Sequence, residues 1–170
     1  LIAAYRGQTD AALNQLDAVA RELPDLAILP VSAAEVAFKA GRYDDAIERS
    51  RRVLRLMPGH MPATRILGEA LLQRDPDAAY RILRELAEQR PEDPQVFTLL
   101  AAAAGRSGRE AWGHLARAEQ MQLTGDIQRA IRQLDVARQV AEQSGDSNAA
   151  ARIEQRRDAF IGYRETLEQF

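Results

Sequence analysis

The chain has 170 residues, of which 46% are hydrophobic and 28% are charged, so it is long enough to bury the core of one domain. Its 23 basic and 25 acidic residues give a formal net charge of −2, which argues against binding nucleic acid or an anionic membrane through a strong positive field. The absence of cysteine excludes a disulfide framework and a thiolate metal site. The longest uncharged stretch in the middle, residues 94–105, is too short to cross a bilayer.

The first 26 residues read as the end of one helix, a turn and a second helix. Residues 1–6 suit the last turns of a helix, and Gly7 can take the left-handed conformation that ends one. The second helix contains Ala12 and stops before Pro24. Because a stack of hairpins does not begin halfway through one, we expect residues 1–26 to be a partial first unit and the chain to be a fragment of a larger protein.

Residues 27–60 repeat this pattern at a distance of 34 residues. The turn glycine returns as Gly41, the alanine after it as Ala46, and the proline that breaks the helix as Pro58. Ala34 lies in the first helix of the pair, where a small side chain lets two helices approach closely. A glycine turn, an alanine and a closing proline at this period resemble the tetratricopeptide (TPR) repeat, a helix–turn–helix unit that stacks on copies of itself.

The third unit, residues 61–93, keeps the register but changes its turn. Gly68 takes the small position of the first helix, and an aspartate–proline pair beginning at Asp75 replaces the glycine turn. The aspartate is a predicted N-cap and the proline a predicted first helical residue. Ala79 then continues the apolar stripe of the second helix, which ends before Pro91.

Half a repeat is missing in the fourth unit, residues 94–124. Ala101 takes the small position of its first helix and Gly108 takes the turn, but the next turn, at Gly125, follows after only 17 residues. We therefore predict that one helix, residues 110–124, closes one hairpin and opens the next.

The chain ends in two further predicted helices. Residues 125–143 match a second TPR helix with Ala130 at the close contact, and residues 146–170 carry an apolar stripe that suits a capping helix. The sequence therefore predicts a single all-α domain, an α-α superhelix of stacked TPR hairpins with about ten helices, a C-terminal capping helix and essentially no strand.

No residue pattern indicates catalysis or metal binding within the chain. His60 and His114 are the two histidines, and neither belongs to an HExxH or any other metal-ligand spacing. We expect His60 in a solvent-exposed loop and His114 on a helix surface. A glycine-rich phosphate loop, a nucleophile elbow and a converging carboxylate pair are all missing. We therefore predict no catalytic residue, no metal ligand and no cofactor in this chain.

The predicted function is to bind protein. The TPR resemblance implies a groove, lined by the first helix of each pair, that holds a peptide or a partner helix. Counting along these helices gives the candidate lining residues Glu35, Phe38, Lys39, Arg65, Glu69, Leu72, Gln73, Arg106, Trp112, Glu119 and Gln122. Phe38 and Trp112 are the candidate aromatic anchors, with half-buried packing as the alternative role of Trp112. The lining is of mixed sign and lacks the lysine-and-asparagine clamp of chaperone-tail TPR domains.

Four arginines cluster on the second helix of the second unit, at positions 49, 51, 52 and 55. Helical geometry spreads them around the outer face of that helix, beside Glu48. The cluster is either a solvated surface or a surface that docks against an acidic neighbouring domain.

The C-terminal third resembles a more specific family. Ala118-Glu-Gln-Met-Gln-Leu-Thr-Gly-Asp126 leads into Ala130-Ile-Arg-Gln-Leu134 and Ala137-Arg138, and Ala151-Arg-Ile-Glu-Gln-Arg-Arg157 follows on the last helix. These segments resemble the tail of BepA-like periplasmic zinc metallopeptidases, in which a TPR domain follows an HExxH protease domain. The resemblance implies catalytic zinc ligands upstream of Leu1 and a location in the bacterial periplasm. It also implies a TPR domain that shields the protease cleft and recognises substrates or the outer-membrane barrel-assembly machinery.

The residues thus favour a non-catalytic TPR domain of a periplasmic zinc metallopeptidase, with its own protease domain and envelope proteins as partners. The alternative is a stand-alone TPR adaptor or assembly scaffold, self-associating through the last helix. Neither hypothesis involves nucleic acid or a transmembrane segment.

Overall fold

A computed structural model of the chain describes residues 2–23 and 28–168, with side chains from Gly7 to Leu23 and from Leu29 onward. These residues form nine α-helices and no β-strand, which confirms the predicted all-α class. The helices are α1 (Ile2–Glu22), α2 (Ile28–Lys39), α3 (Tyr43–Leu56), α4 (Met61–Leu71), α5 (Pro76–Gln89), α6 (Pro94–Arg106), α7 (Glu110–Leu123), α8 (Ile127–Ser144) and α9 (Ser147–Leu167). Within the described ranges, no helix is both long and apolar enough to cross a bilayer. The chain divides into two compact units, Leu1–Ile82 and Leu83–Phe170.

The first helix differs from the predicted partial unit. α1 runs without a break from Ile2 to Glu22, so Gly7 lies inside a helix and not in a turn. Glycine inside a helix costs only about 1 kcal/mol relative to alanine, and the alanines and straight-chain residues around it favour the helix. Two predicted helices are therefore one, which is why the described residues hold nine helices. Ala12 is half-buried, and Pro24 lies outside the described residues.

In the first compact unit, Leu1–Ile82, helices α2, α3 and α4 pack around small side chains. Ala34, Ala46 and Ala63 are each 0% exposed, which lets the helices approach closely at these three points. Gly41 has a φ of 74°, the left-handed conformation with which α2 turns into α3, and α3 ends before Pro58. Larger side chains fill the spaces between the helices: Val31, Val53 and Ile66, with Phe38 and Leu54 against them.

Ion pairs fasten α1 to α3. Arg42 binds Asp10, and Arg49 donates from Nη1 and Nη2 to the two carboxylate oxygens of Asp17 at 2.6 and 3.0 Å. Arg49 Nε also donates to Asp45 Oδ1 at 2.7 Å. The hydrogen bond from Arg49 holds the pKa of the Asp17 carboxyl below its ordinary value. Arg49, one of the four clustered arginines, therefore links α3 to α1.

α5 begins at the aspartate–proline turn. Asp75 Oδ1 accepts a hydrogen bond from the backbone N–H of Ala78 at 2.9 Å, which satisfies one of the free donors at the start of the helix. Ala79 is 0% exposed, Gly68 on α4 is buried, and α5 ends at Gln89, before Pro91.

The second unit is built around α7, which contacts α6, α8 and α9. Gly108 and Gly125 flank it with φ values of 73° and 87°. A Cβ placed on Gly113 would lie 3.3 Å from the carbonyl oxygen of Ala101, so α6 and α7 approach almost backbone to backbone. The shared core of α7, α8 and α9 consists of Ala111, Leu115, Ala118, Ala130, Ile131, Leu134, Ala137, Ala141, Ala149, Ile153 and Phe160. α9 thus closes the apolar side of the α7–α8 hairpin, as a capping helix does.

Candidate partner-binding surfaces

Two charged pairs lie beside each other on α2 and α4, and they define the α2–α4 face (Glu35, Lys39, Arg65 and Glu69). Lys39 Nζ lies 2.7 Å from Glu35 Oε1, and Arg65 Nη1 donates to Glu69 Oε1 at 3.2 Å. Both pairs join residues four apart on one helix, so the two side chains of each pair lie on the same side of that helix.

The two pairs also interact with each other. The hydrogen bond from Lys39 holds the pKa of the Glu35 carboxyl below its ordinary value, and the positive charge of Arg65 on the neighbouring helix adds to this lowering. The Lys39, Glu35 and Arg65 side chains are 69%, 46% and 46% exposed, whereas that of Glu69 is 20% exposed. The face therefore presents charges of both signs to solvent at fixed positions.

Three other predicted groove residues of the compact unit Leu1–Ile82 differ in exposure from the four residues of the α2–α4 face. Phe38 is half-buried, packs against the α2–α4 core and lies 5.8 Å, centroid to centroid, from the Tyr43 ring. Leu72, the C-cap of α4, is only 7% exposed, so little of its side chain is accessible to a partner. Gln73 is exposed.

In the second unit, Trp112 contacts α9. Its indole Nε1 donates to Asp146 Oδ2 at 2.9 Å, and the ring packs half-buried against the core of α7, α8 and α9. The other carboxylate oxygen of Asp146 accepts from the backbone N–H of Ala149 at 2.9 Å, so the same aspartate caps α9. Trp112 is therefore half-buried packing that fixes the start of the last helix.

Glu119 is likewise bound to α9. Arg156 donates from Nε and Nη2 to the two Glu119 carboxylate oxygens at 2.5 and 2.6 Å, a bidentate pair in which the Glu119 side chain is only 13% exposed. The Arg156 guanidinium also lies 4.8 Å from the centre of the Phe160 ring. Of the two other groove candidates in this unit, Arg106 is exposed and Gln122 is half-buried.

α9 is also bound to α8. Arg157 Nε donates to Asp135 Oδ1 at 2.8 Å, and this contact raises the pKa of Arg157. With the Trp112 and Glu119 contacts, polar bonds hold α9 along two helices in addition to its buried core. Of the three α7 residues that the sequence assigned to a partner, Trp112 and Glu119 thus contact the chain's own last helix or its N-cap.

The histidines have structural roles. His60 lies in the loop before α4, as predicted, but it is half-buried and not exposed, because its Nδ1 caps α4 by accepting from the backbone N–H of Ala63 at 3.4 Å. His114 hydrogen-bonds Gln133 on α8; burial, followed by the charge of Arg117, lowers its pKa. Among the described residues, His, Asp and Glu side chains form no group of three able to hold a metal ion.

Sequence reasoning missed the residues that attach α9. The 34 residues between Trp112 and Asp146 equal one repeat but gave no signal, because Trp112 lies in the first turn of α7 whereas Asp146 is the N-cap of α9. The Glu119–Arg156 and Asp135–Arg157 separations of 37 and 22 residues gave none either. These contacts follow only from the angle at which α9 crosses α7 and α8.

Part of the chain matches a known protein family. Residues 37–103 match the family model described as Tetratricopeptide repeat. This stretch contains the glycine turn at Gly41 and the α2–α4 face residues from Lys39 onward. No curated protein sequence matches the chain significantly.

Solved structures match nearly the whole chain in fold. A crystal structure of MamA is 19% identical with a TM-score of 0.66, and the match covers 97% of this chain and 94% of that one. MamA (residues 41 to the end) from Desulfovibrio magneticus RS-1 is 21% identical at the same TM-score, with 93% and 88% covered. TTC0263, a thermophilic TPR protein of Thermus thermophilus, is 17% identical with a TM-score of 0.50 and 91% of each chain covered.

The family match supports tetratricopeptide repeats in residues 37–103, and the solved structures share the fold of nearly the whole chain. This class of repeat is a scaffold for protein–protein interaction and typically carries no catalytic centre.

Proposed function

We propose that this chain binds a protein segment through the α2–α4 face and does no chemistry of its own. The observation that carries the proposal is the set of four charges on two packed helices, of which three side chains are at least 46% exposed. A repeat domain offers binding through such a surface, since each helix pair contributes side chains at a fixed spacing.

The charges of the face indicate the chemistry of the partner. Lys39 and Arg65 attract carboxylates, while Glu35 attracts a basic side chain between them. A partner segment of alternating sign fits this order better than a purely acidic tail, because a purely acidic tail would place a carboxylate beside Glu35. The exposed part of Phe38 adds an apolar contact at the edge of the face. Such charge patterns contribute more to the orientation of the partner and to the rate of association than to the affinity.

A pair of matched variants tests the proposal. Lys39→Glu/Arg65→Glu reverses both positive charges of the face, and Arg81→Glu/Arg132→Glu reverses two exposed arginines on α5 and α8. Both variants lower the net charge by the same amount, so they differ only in where the reversed charges lie.

Each protein is immobilised and exposed to a lysate of the cells that produce it, and captured proteins are quantified by mass spectrometry. We expect at least one protein that the wild type and the α5/α8 control retain and the face variant loses by about tenfold, or about 1.4 kcal/mol. Equal capture by all three proteins would contradict the proposed face.

For the parent protein, we propose a BepA-like periplasmic zinc metallopeptidase, on the resemblance of residues 118–157. Zinc would then be held by the protease domain, which this chain would shield while it recognises envelope substrates or the barrel-assembly machinery. The rival proposal is an adaptor built of repeats alone. An HExxH-containing domain in the reading frame upstream of Leu1 supports the first proposal, and its absence rejects it in favour of the second.

A further inference from the structure

Two of the three methionines of the chain lie beside one of its two histidines, at the turn between α3 and α4. Met57 is the C-cap of α3, His60 is the N-cap of α4, and Met61 is the first residue of α4. We call these three residues the Met–His turn (Met57, His60 and Met61). Two thioethers and one imidazole thus lie within five consecutive residues.

The backbone of the Met–His turn holds the three side chains within reach of one another. The N–H of His60 donates to the carbonyl oxygen of Met57 at 3.2 Å, and Gly59 has a φ of 80°. These are features of a type II β-turn, whose first and fourth Cα atoms lie less than about 7 Å apart. His60 and Met61 are neighbours in the chain, and a methionine side chain has three rotatable bonds. Both sulfur atoms can therefore reach one point beside the imidazole ring.

Packing and hydrogen bonding leave donor atoms of this turn available. Met57 is 41% exposed, and His60 and Met61 are half-buried. Nε2 of His60 has no hydrogen bond in the described part of the chain, and Nδ1 has only the 3.4 Å contact with the N–H of Ala63. The remaining methionine and histidine differ: Met121 packs against the core of α7, α8 and α9, and His114 is bonded to Gln133. We list His114 and Met121 here because they serve as controls below.

We propose that Met57, His60 and Met61 bind one monovalent copper ion, Cu(I). Thioether sulfur is a soft ligand that selects Cu(I), and imidazole also suits copper. Zn²⁺ takes thiolates, imidazoles and carboxylates, so a site with two thioethers disfavours it. The sequence prediction of no metal ligand considered histidine spacings and thiolates but not thioethers. None of the three residues belongs to the α2–α4 face, so this site goes beyond partner binding.

Coordination by His60 should break the cap of α4. An imidazole that binds the ion through Nδ1 has no lone pair left for the N–H of Ala63. One that binds through Nε2 must carry its single proton on Nδ1, so the proton moves from Nε2 to Nδ1 and none is released. In both cases Nδ1 stops accepting from Ala63. The contact that is lost is long, 3.4 Å against about 2.7–3.2 Å in an ordinary hydrogen bond, so it opposes binding only weakly.

Calorimetric titration of the full chain with silver nitrate in chloride-free buffer tests the site, because Ag⁺ is a soft, redox-stable substitute for Cu(I). We expect one Ag⁺ per chain and no comparable binding of Zn²⁺. Met57→Leu, Met61→Leu and His60→Asn should each weaken Ag⁺ binding by at least about tenfold, since even the indirect partners of a metal ligand contribute about 10–100-fold. Leucine conserves the volume of methionine and asparagine is a good N-cap, so the fold should persist, which circular dichroism verifies.

Two matched variants and one spectroscopic signal serve as controls. Met121→Leu and His114→Gln remove the other methionine and the other histidine and should bind Ag⁺ as the wild type does. In the proton–nitrogen correlation spectrum, Ag⁺ and, without oxygen, Cu(I) should both shift the amide signal of Ala63 and speed its hydrogen exchange. The amide of Ala149, which Asp146 caps, should not change.

Four results would overturn the proposal. The wild type could bind no Ag⁺, the three ligand variants could bind as tightly as the wild type, or the two control variants could lose as much affinity as they do. An Ala63 amide that stayed unchanged with the metal bound would exclude His60 as a ligand and with it the three-residue site.

Discussion

Replacing Ser50 by alanine should stabilise the protein, although it removes a buried polar group. Ser50 lies on the inner face of α3 with Ala46 and Val53, is 0% exposed, and its Oγ has no hydrogen-bond partner among the described residues. A buried hydroxyl without a partner costs about 1–3 kcal/mol. Alanine also favours a helix over serine by about 0.5 kcal/mol, while the lost oxygen gives up only weak contacts of about 0.1–0.2 kcal/mol each. The expected gain in unfolding free energy is therefore about 1–2 kcal/mol.

Urea unfolding followed by circular dichroism measures this gain, and the midpoint of thermal unfolding should rise by about 2–4 °C for each kcal/mol. Ser107→Ala is the matched control, because Ser107 Oγ donates to the Ala103 carbonyl oxygen at 2.7 Å. The same change should there cost about 0.5–1.5 kcal/mol, the usual contribution of a hydrogen bond. If Ser50→Ala destabilised the protein as much as Ser107→Ala does, the packing of α3 described above would be wrong.

Three further predictions concern packing and pH. Ala46→Arg should lower the unfolding free energy by several kcal/mol, about 3–5, because it overpacks a 0%-exposed crossing and buries an unpaired charge; an unchanged urea midpoint would contradict the assigned register. Glu119→Gln should weaken the attachment of α9 by about 1.5–3 kcal/mol, measured as faster amide hydrogen exchange in α9 but not in α2. His114 has a pKa lowered by burial, so its neutral form contributes stability that is present above pH 6.5 and lost as the pH falls through the lowered folded pKa. Between pH 7.5 and 5.5 the wild type should therefore lose more stability than His114→Gln, and equal slopes would refute this reason.

Much of the fold was predictable, because helix, turn and small-residue positions repeat along the chain. Gly41, Gly108 and Gly125 have positive φ, so these glycines act through a backbone conformation that other residues rarely adopt. Gly7 occupies the equivalent position in the sequence but continues a helix. Glycine permits a turn without requiring one, so its presence in the repeat pattern did not decide the local structure.

The candidate site was predictable only in part. The Glu35–Lys39 and Arg65–Glu69 pairs follow from a spacing of four residues on a helix, and the sequence places all four on the first helices of their hairpins. Whether Trp112 faces solvent or another helix depends on where α9 packs, and this is decided by contacts between residues far apart in the sequence. Helical periodicity identifies an outward face but not what later covers it.

Site-specific photo-crosslinking tests the central claim, that the α2–α4 face binds a protein segment. A photo-reactive amino acid is introduced in place of Lys39, whose side chain is 69% exposed, and separately in place of Arg132 on the outer surface of α8. After irradiation in the producing cells, we expect a discrete crosslinked protein from position 39 that is absent from position 132. Identical products at both positions, or none at position 39, would contradict it.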